Sequence, residues 1–191
     1  MPGGRRSAIS TADRVAQDAI IRCASLNANG LFSGHGELKP SWQPFAACLH
    51  AAQFDALALS EPHLWPSSNL PGDGVYRLAA SPNIDQRRGR RDAAIATRTK
   101  SLHWCQLPGP ESDIVAVSLR SAQPRVQLIS AYAPDISRGH VARADFFDRL
   151  DVALRRCVVE DSDALRVLCI DANSWNLLST PAGRRHQTFI G

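Results

Sequence analysis

The stretch Arg166-Val-Leu-Cys-Ile-Asp171-Ala-Asn173-Ser-Trp175 decides how the rest of the chain is interpreted. Residues 167–170 form an unbroken apolar run, which predicts a short strand covered on both faces. Asp171 and Asn173 are two residues apart, so we expect their side chains to project the same way at the strand end. A carboxylate and an amide there suit a hard metal ion or a phosphate group. Taken alone, however, the segment favours a plain strand end with an Asx-type turn.

The composition bounds the class of protein. Apolar residues make up 44% and charged residues 21% of 191 residues, as in a soluble globular protein of one domain. No apolar run approaches the roughly 20 residues of a membrane span, and residues 1–20 lack the apolar core of a signal peptide. Five scattered cysteines without a CxxC pair indicate reduced, buried thiols and argue against a zinc site. We therefore expect an intracellular protein, neither secreted nor membrane-bound, with the nucleus compatible.

The charge of the chain is moderately basic and comes almost entirely from arginine. The net charge is +4, and Lys39 and Lys100 are the only lysines. Arginine suits bidentate contacts with phosphate, and the run Arg87-Arg88-Gly89-Arg90-Arg91 concentrates this charge. Such a run is also typical of a solvated loop. Nucleic acid is therefore an expected partner that composition alone does not specify further.

The first half of the chain predicts two neighbouring parallel strands. Residues 20–26 form a β-rich segment that stops at the turn signal Asn27-Ala-Asn29-Gly30, and residues 54–59 form a buried strand that ends at Ser60-Glu61. A helical segment between them gives a β-α-β unit, whose parallel strands end at the same edge. The topology therefore predicts that Asn27, Asn29 and Glu61 lie close together.

Further elements follow from the apolar patterns. The predicted helices are Ser41–Ala52 and His140–Glu160, the latter with Phe146, Phe147, Leu150, Ala153, Leu154 and Cys157 on one face. The predicted strands are Val75–Ala79, Ala93–Arg98, Ile114–Leu119 and Val126–Tyr132, with a fifth candidate at Leu102–Leu107. Short intervening turns favour antiparallel hairpins among them.

Four strand ends carry polar or aromatic residues in a fixed order, and together they resemble a known family. The segments are Ser25-Leu-Asn27-Ala-Asn29-Gly-Leu31, Leu57-Ala-Leu-Ser-Glu61-Pro-His63, Ala131-Tyr132-Ala-Pro134 and Cys169-Ile-Asp171-Ala-Asn173-Ser. They resemble the Trp-Asn-x-Asn/Asp-Gly-Leu, Gln-Glu-Thr-His/Lys, Tyr-x-Pro and Gly-Asp-Phe-Asn-Ala motifs of the endonuclease/exonuclease/phosphatase superfamily. The Asn-x-Asn-Gly and Tyr-x-Pro matches resemble its apurinic endonuclease-like branch in non-LTR retrotransposons.

The resemblance implies a fold and a domain organisation. We expect an α/β protein, a four-layer α-β-β-α sandwich with two mixed sheets whose C-terminal strands are missing. The domain would occupy residues 20–191 and be incomplete, after a disordered N-terminal arm at residues 1–19.

The resemblance also implies a site for phosphodiester hydrolysis. Glu61 would be the main ligand of Mg²⁺, or of Mn²⁺ in its place, with Asn27 and Asn29 beside it. Asp171 would orient or deprotonate the attacking water, while Asn173 and Tyr132 would donate hydrogen bonds to the phosphate. DNA is the implied partner, and its expected contacts are Arg138, Arg87, Arg88, Arg90 and Arg91.

The chain departs from the family pattern in two places. Arg91-Asp92 stands where the family has a Gly-Gly pair, and the family's closing Ser-Asp-His sequence does not occur in the 191 residues. We therefore expect a fragment with weak or absent nuclease activity, because loss of a catalytic histidine costs orders of magnitude in rate. Two other interpretations stay open: an inactive nucleic-acid-binding remnant, and a phosphatase of small or lipid phosphates.

Overall fold

The structure is a computed structural model that describes residues 21–33, 37, 39–40, 54–65, 76–81, 85, 90–98, 104–107, 111–119 and 124–173. The predicted arm at residues 1–19 and the predicted helix at residues 41–52 lie outside the described residues.

The described strands form two four-stranded mixed sheets. The strands are β1 (Cys23–Asn27), β2 (Ala56–Leu64), β3 (Tyr76–Ala80), β4 (Arg91–Arg98), β5 (Trp104–Gln106), β6 (Ile114–Leu119), β7 (Val126–Tyr132) and β8 (Leu165–Asp171). The first sheet has the order β1-β2-β4-β3 and the second has the order β5-β6-β7-β8. This confirms the predicted α/β class with two mixed sheets.

Each sheet contains one parallel pair, and these pairs determine where the strand ends lie. β1 and β2 are parallel, as predicted, with Asn27 opposite Ser60. β7 and β8 are also parallel, with Tyr132 opposite Asp171. The other pairs, β2 with β4, β3 with β4, β5 with β6 and β6 with β7, are antiparallel.

The two sheets pack face to face through a core of small and large side chains. Alternate residues of a strand point to opposite faces, so Ala56 and Ala58 of β2 point inward while Leu57 and Leu59 point to the outer face. The small residues of the first sheet meet a row of larger ones from the second sheet. The larger inner residues are Val115, Val117, Leu119, Val126 and Leu128.

A long helix covers the outer face of the second sheet. A 3-10 turn, Ile136–Arg138, leads into α1 (Gly139–Glu160). Phe146, Leu150 and Cys157 of α1 are buried, as the helical spacing predicts. Phe147 was assigned to the same face, but it is 43% exposed because it lies one position beyond the buried stripe. No described helix has the length and apolar character needed to cross a membrane.

The prediction that residues 167–170 are covered on both faces is wrong. Leu168 and Ile170 are 41% and 36% exposed, whereas Val167 and Cys169 are half-buried and pack against the inter-sheet core. Neither Leu168 nor Ile170 belongs to a hydrophobic cluster of the described residues, so β8, which lies at the edge of its described sheet, is covered mainly on its inner face. The apolar run therefore belongs to a half-covered strand at the side of the sheet.

The prediction of buried thiols holds for one of the four described cysteines. All four are free, with Cys157 buried and Cys23, Cys105 and Cys169 half-buried. Burial, followed by the neighbouring Cys169 and Asp55, raises the pKa of Cys23 to about 11.

Ile95 tests the inter-sheet core, because its side chain is fully buried between the sheets. We expect Ile95→Ala to lower the free energy of unfolding by about 2–5 kcal/mol, from lost burial and the cavity left behind. The measurement is urea denaturation followed by circular dichroism. Val141→Ala, at a residue 85% exposed on α1, is the control and should change stability by less than about 0.5 kcal/mol. Equal effects of the two substitutions would contradict this core.

Cys23 tests the environment between β1 and β8. At pH 8 a thiol with a pKa of about 11 is ionised in roughly one molecule in a thousand, so its alkylation by iodoacetamide should be slow and rise steeply with pH. The pKa of Cys23 in the folded chain lies above the ordinary value of 9.0, so the protonated thiol contributes to the free energy of unfolding. That contribution is fully present below pH 9.0 and is lost as the pH rises through about 11. Peptide mass spectrometry measures the rate. Equal rates for Cys23 in the folded and urea-unfolded chain at pH 8 would refute the assignment.

Candidate active site

Strand ends from the two sheets meet at one edge of the sandwich. The Asn27 side chain at the end of β1 donates from Nδ2 to Asp171 Oδ2 at the end of β8, at 2.7 Å. Ser60 Oγ of β2 lies 3.5 Å from the same carboxylate oxygen. Asn27 Oδ1 accepts the backbone N–H of Asn29 at 2.9 Å, so the amide is held at both ends. The edge predicted from the parallel strands is therefore a contact between the two sheets.

A bulge in β2 places Glu61 at this edge. The predicted strand ended at residue 59 with Glu61 in the following segment, but β2 continues to Leu64 with a register shift between Ser60 and Leu64. Glu61 has φ +51°, which turns its side chain out of the regular pleat. Tyr132 at the end of β7 donates its hydroxyl to Glu61 Oε1.

We call Asn27, Glu61, Tyr132 and Asp171 the strand-end cluster. Asn27 and Asp171 are joined by a hydrogen bond, as are Tyr132 and Glu61. Tyr132 and Asp171 are register partners in the second sheet, and Ser60, which precedes Glu61, is the register partner of Asn27 in the first. The four residues are therefore linked within each sheet by strand register and between the sheets by two hydrogen bonds.

Gly30 allows the β1 loop to approach the β2 bulge closely. Its N–H donates to Glu61 O at 2.7 Å, and its φ is +72°. A Cβ at this position would lie 2.5 Å from His63 Nδ1 and 3.0 Å from Lys39 Nζ, so a larger residue would collide with the imidazole. Burial, and then the nearby Arg90, lower the pKa of His63, while Asp92 and Glu61 act in the opposite direction.

The segment after Asp171 forms the Asx-type turn that its residues favoured on their own. Asn173 has φ +46°, and its N–H donates to Asp171 Oδ1 at 3.2 Å. The Asn173 side chain donates from Nδ2 to Ala133 O at 2.6 Å. The carboxylate of Asp171 and the amide of Asn173 therefore have different partners, because the chain leaves the strand between them.

The arginines expected at DNA are placed unevenly around this edge. Arg138 pairs with Asp85 at 3.8 Å, Arg90 pairs with Asp92 at 3.1 Å, and Arg91 is half-buried. Arg87 and Arg88 lie outside the described residues. A small cleft joins the Arg138 pair to the strand-end cluster; its walls are Asp85, Asp92, Ser112, Asp113, Tyr132, Pro134 and Arg138.

Several residues that support the site were not found from the sequence. Ser130 of β7 donates to Leu59 O of β2 at 3.0 Å and so joins the two sheets beneath the cluster. Asp113 accepts the N–H of Tyr132 at its backbone oxygen, at 2.9 Å. Ser60 and Ser130 did carry a signal, because a serine in an apolar strand needs a hydrogen-bond partner when it is buried. Asp113 carried none, since it lies in a turn far from the motifs.

The oxygen donors of this edge fit a magnesium ion. Glu61 supplies a carboxylate from the β2 bulge, Asp171 a carboxylate from the end of β8, and Asn27 an amide oxygen from the end of β1. No group of three or more histidine, cysteine or acidic residues within the described ranges could hold a metal by itself. Mg²⁺ uses one or two carboxylates, retains several waters and rarely needs an all-protein cage. The donor set therefore suits Mg²⁺ better than a metal that requires a complete protein shell.

The chain has the fold of solved endonuclease/exonuclease/phosphatase proteins, so the fold that the motifs implied is confirmed. The endonuclease domain of TRAS1, a telomere-specific non-LTR retrotransposon, is 18% identical with a TM-score of 0.58, and the match covers 90% of this chain and 70% of that domain. An endonuclease/exonuclease/phosphatase family protein from Leptotrichia buccalis is 12% identical with a TM-score of 0.56, covering 89% of this chain and 72% of that one. The human Nocturnin catalytic domain, solved with bound sulfate, is 11% identical with a TM-score of 0.53, covering 85% and 69%. No protein-family model and no curated protein matches the sequence.

The hydrogen bond between Tyr132 and Glu61 is testable by a double-mutant cycle. We expect Tyr132→Phe and Glu61→Gln to show a coupling of about 1–3 kcal/mol in urea denaturation, because the tyrosine donates to a charged acceptor. Tyr76→Phe is the matched control, since its hydroxyl donates to Phe54 O at 3.2 Å and not to Glu61. Its effect should add to that of Glu61→Gln within about 0.5 kcal/mol. Additive effects of Tyr132→Phe and Glu61→Gln would show that the two side chains are not hydrogen-bonded.

Proposed function

We propose that the chain is a divalent-metal-dependent phosphodiester hydrolase domain that nicks DNA and belongs to a retrotransposon-like element. The strand-end cluster carries this proposal, because it gathers two carboxylates, an amide and a phenol at one edge of the sandwich. The similarity to the TRAS1 endonuclease domain supports the retrotransposon assignment.

The carboxylates of the cluster differ in their partners from the described acids that form ion pairs. Asp92, Asp113 and Asp161 each pair with an arginine. Glu61 is bound by a phenol, and Asp171 by an amide, a hydroxyl and a backbone N–H. Neutral donors orient a carboxylate without cancelling its charge, so these two retain the negative charge that a divalent cation requires.

The metal-binding part of the proposal assigns Glu61 as the main ligand, with Asn27 and Asn29 beside it. When bound, Mg²⁺ polarises a phosphoryl oxygen and stabilises charge on the leaving oxygen. Tyr132 holds one oxygen of the Glu61 carboxylate and so fixes its orientation. Asn27 is held by Asn29 N and by Asp171, which fixes its amide plane. These residues are thus oriented before any ligand arrives.

The remaining residues act on water and phosphate. Asp171 has three hydrogen-bond donors around it, and a carboxylate offers about four acceptor positions, so one remains to orient or deprotonate the attacking water. Asn173 uses one N–H of its amide on Ala133 O and has a second for a phosphate oxygen. As negative charge develops on the phosphate, the Tyr132 hydroxyl would leave Glu61 and donate its hydrogen bond to a phosphate oxygen.

DNA is the proposed partner because the chain is basic and Arg138 lines the cleft beside the strand-end cluster. Arg138 lines the cleft beside Tyr132, and its long pairing distance of 3.8 Å to Asp85 leaves it able to exchange that carboxylate for a phosphate. Arg90 is paired more closely, and we propose it with Arg87, Arg88 and Arg91 as contacts to the DNA backbone. A nuclear location is compatible with this proposed substrate.

For the 191 residues by themselves the proposal includes impaired catalysis, because they contain no Ser-Asp-His sequence. A protein that binds DNA through the same arginines without cleaving it is the alternative that this observation favours. A phosphatase of small or lipid phosphates is the second alternative, and the basic charge of the chain weighs against it.

A plasmid-nicking assay tests the proposed activity. With Mg²⁺, we expect slow conversion of supercoiled plasmid to open circles, and Glu61→Gln should lower the rate by at least about 100-fold because it removes the charged ligand. Removal of Mg²⁺ with EDTA should have the same effect, and Mn²⁺ should restore activity.

Glu160→Gln is the matched control, since it makes the same exchange on the exposed end of α1. Its nicking rate should equal that of the unaltered chain. Equal rates for Glu61→Gln and the unaltered chain would refute the catalytic proposal. Salt-dependent DNA binding without nicking would identify the binding remnant, and hydrolysis of a small phosphomonoester in place of plasmid would identify the phosphatase.

A further inference from the structure

One arginine of α1 contacts both of the loops that follow β7 and β8. Arg143 lies in the first turns of the helix, and its Nη1 donates to Pro134 O at 3.0 Å. The same nitrogen lies 3.2 Å from Ala172 O and 3.5 Å from Asn173 O. These three carbonyls come from two segments that are separated by the whole of α1. A single side chain thus joins the segment after Tyr132 to the segment after Asp171.

These contacts lie where the pairing of β7 with β8 ends. The last register pair is Tyr132 with Asp171, after which Ala133 N donates to Asp171 O at 2.8 Å and Asn173 Nδ2 donates to Ala133 O at 2.6 Å. The next residue along the first segment is Pro134, which has no N–H to continue the ladder. Without Arg143, the carbonyls of Pro134, Ala172 and Asn173 would lose a donor that joins the two segments in addition to the bonds of Ala133 and Asn173.

An arginine suits this place for electrostatic and geometric reasons. Its guanidinium is a permanent cation with a rigid planar set of N–H donors, so it can serve several carbonyl oxygens at once. Hydrogen bonds with a charged donor are stronger than neutral ones. Arg143 is half-buried, which limits competition from water for those oxygens.

We propose that Arg143 is a positioning residue that sets the spacing between the Tyr132 hydroxyl and the Asp171 carboxylate. The proposal rests on the proposed function for its effect on rate. Arg143 does not touch the reacting groups; it fixes the segments that carry them and ties both to the helix. A shift of either segment changes the separation of the phosphate donor from the water-orienting carboxylate, and such misplacement lowers rate without removing a catalytic group.

Arg143→Met tests this role by keeping the length of the side chain while removing its donors. We expect the amides of Ala133 and Asn173 to exchange hydrogen about tenfold faster or more, while those of Leu128 and Val117 in the core stay unchanged. In the nicking assay kcat should fall about 10- to 100-fold with KM within about twofold, because positioning is lost and DNA contacts are not. Arg143→Lys keeps a cation and one donor group, so it should recover part of both losses.

Arg155→Met is the matched control on the same helix. Arg155 is 78% exposed at its side chain and pairs with Asp151 at 2.9 Å, far along α1 from the two segments. It should leave amide exchange and nicking unchanged. If Arg143→Met does not fold, Arg143→Gln, which retains an N–H donor, replaces it in both measurements.

Each outcome decides the proposal. Unchanged exchange at Ala133 and Asn173, or a rise in KM with kcat constant, would overturn it, the latter by showing that Arg143 contacts the DNA. Amide exchange needs no activity, so it tests the joined segments even where nicking proves independent of Glu61. In that case the proposed function fails and the role of Arg143 in holding the segments is still decided.

Discussion

Two hydrogen bonds between the sheets, Asn27 to Asp171 and Tyr132 to Glu61, are the constraint on which the site depends. Face-to-face sheets are held mainly by apolar packing, which is non-directional and tolerates small relative shifts. The inter-sheet core of alanines against larger aliphatic residues supplies that packing here. Directional bonds at one edge add a fixed relative position of the strand ends, and Ser130 to Leu59 adds a third just beneath them.

The acidic residues at and behind the site have two kinds of hydrogen-bond partner, arginines and neutral donors. Arg149 forms a bidentate pair with Asp113 at 2.8 and 2.9 Å, and the pKa of Arg149 is raised chiefly by that pairing. This pair ties α1 to the turn whose backbone accepts the N–H of Tyr132. Glu61 and Asp171 instead have neutral donors within the described part of the chain. Arg149 therefore stabilises the turn that holds Tyr132 and does not contact Glu61 or Asp171. The negative charge of these two carboxylates stays available for a cation.

Local sequence patterns predicted the bounds of the strands better than they predicted what packs against those strands. The bounds of Ile114–Leu119 and Val126–Tyr132 agree with β6 and β7, since mostly apolar, β-branched segments closed by turn residues or proline leave little choice. The same rule failed for the covering of β8, because an apolar run reports hydrophobicity and not what packs against each face of the strand. That Asn27, Asn29 and Glu61 would lie close together followed from parallel topology, whereas Tyr132 and Asp171 were placed there by the resemblance, and the partners within the cluster were not predicted. Arg143 had no signal, as its spacing from Pro134 and Asn173 acquires meaning only once α1 has docked.

Several residues of the site have a backbone conformation that regular strands do not adopt. The non-glycine residues with positive φ in the described chain are Asn29, Glu61, His63 and Asn173, and each lies in or beside the strand-end cluster. Such conformations are strained for most side chains, by about 1–3 kcal/mol each, and persist only where surrounding contacts enforce them. Here those contacts are the approach of Gly30 to His63, the bond from Gly30 N to Glu61 O and the Asx-type turn at Asp171. Sequence patterns describe regular strands, so they did not predict the bulge in β2 that carries Glu61. The same departure from regular pleating turns the Glu61 carboxylate toward Tyr132.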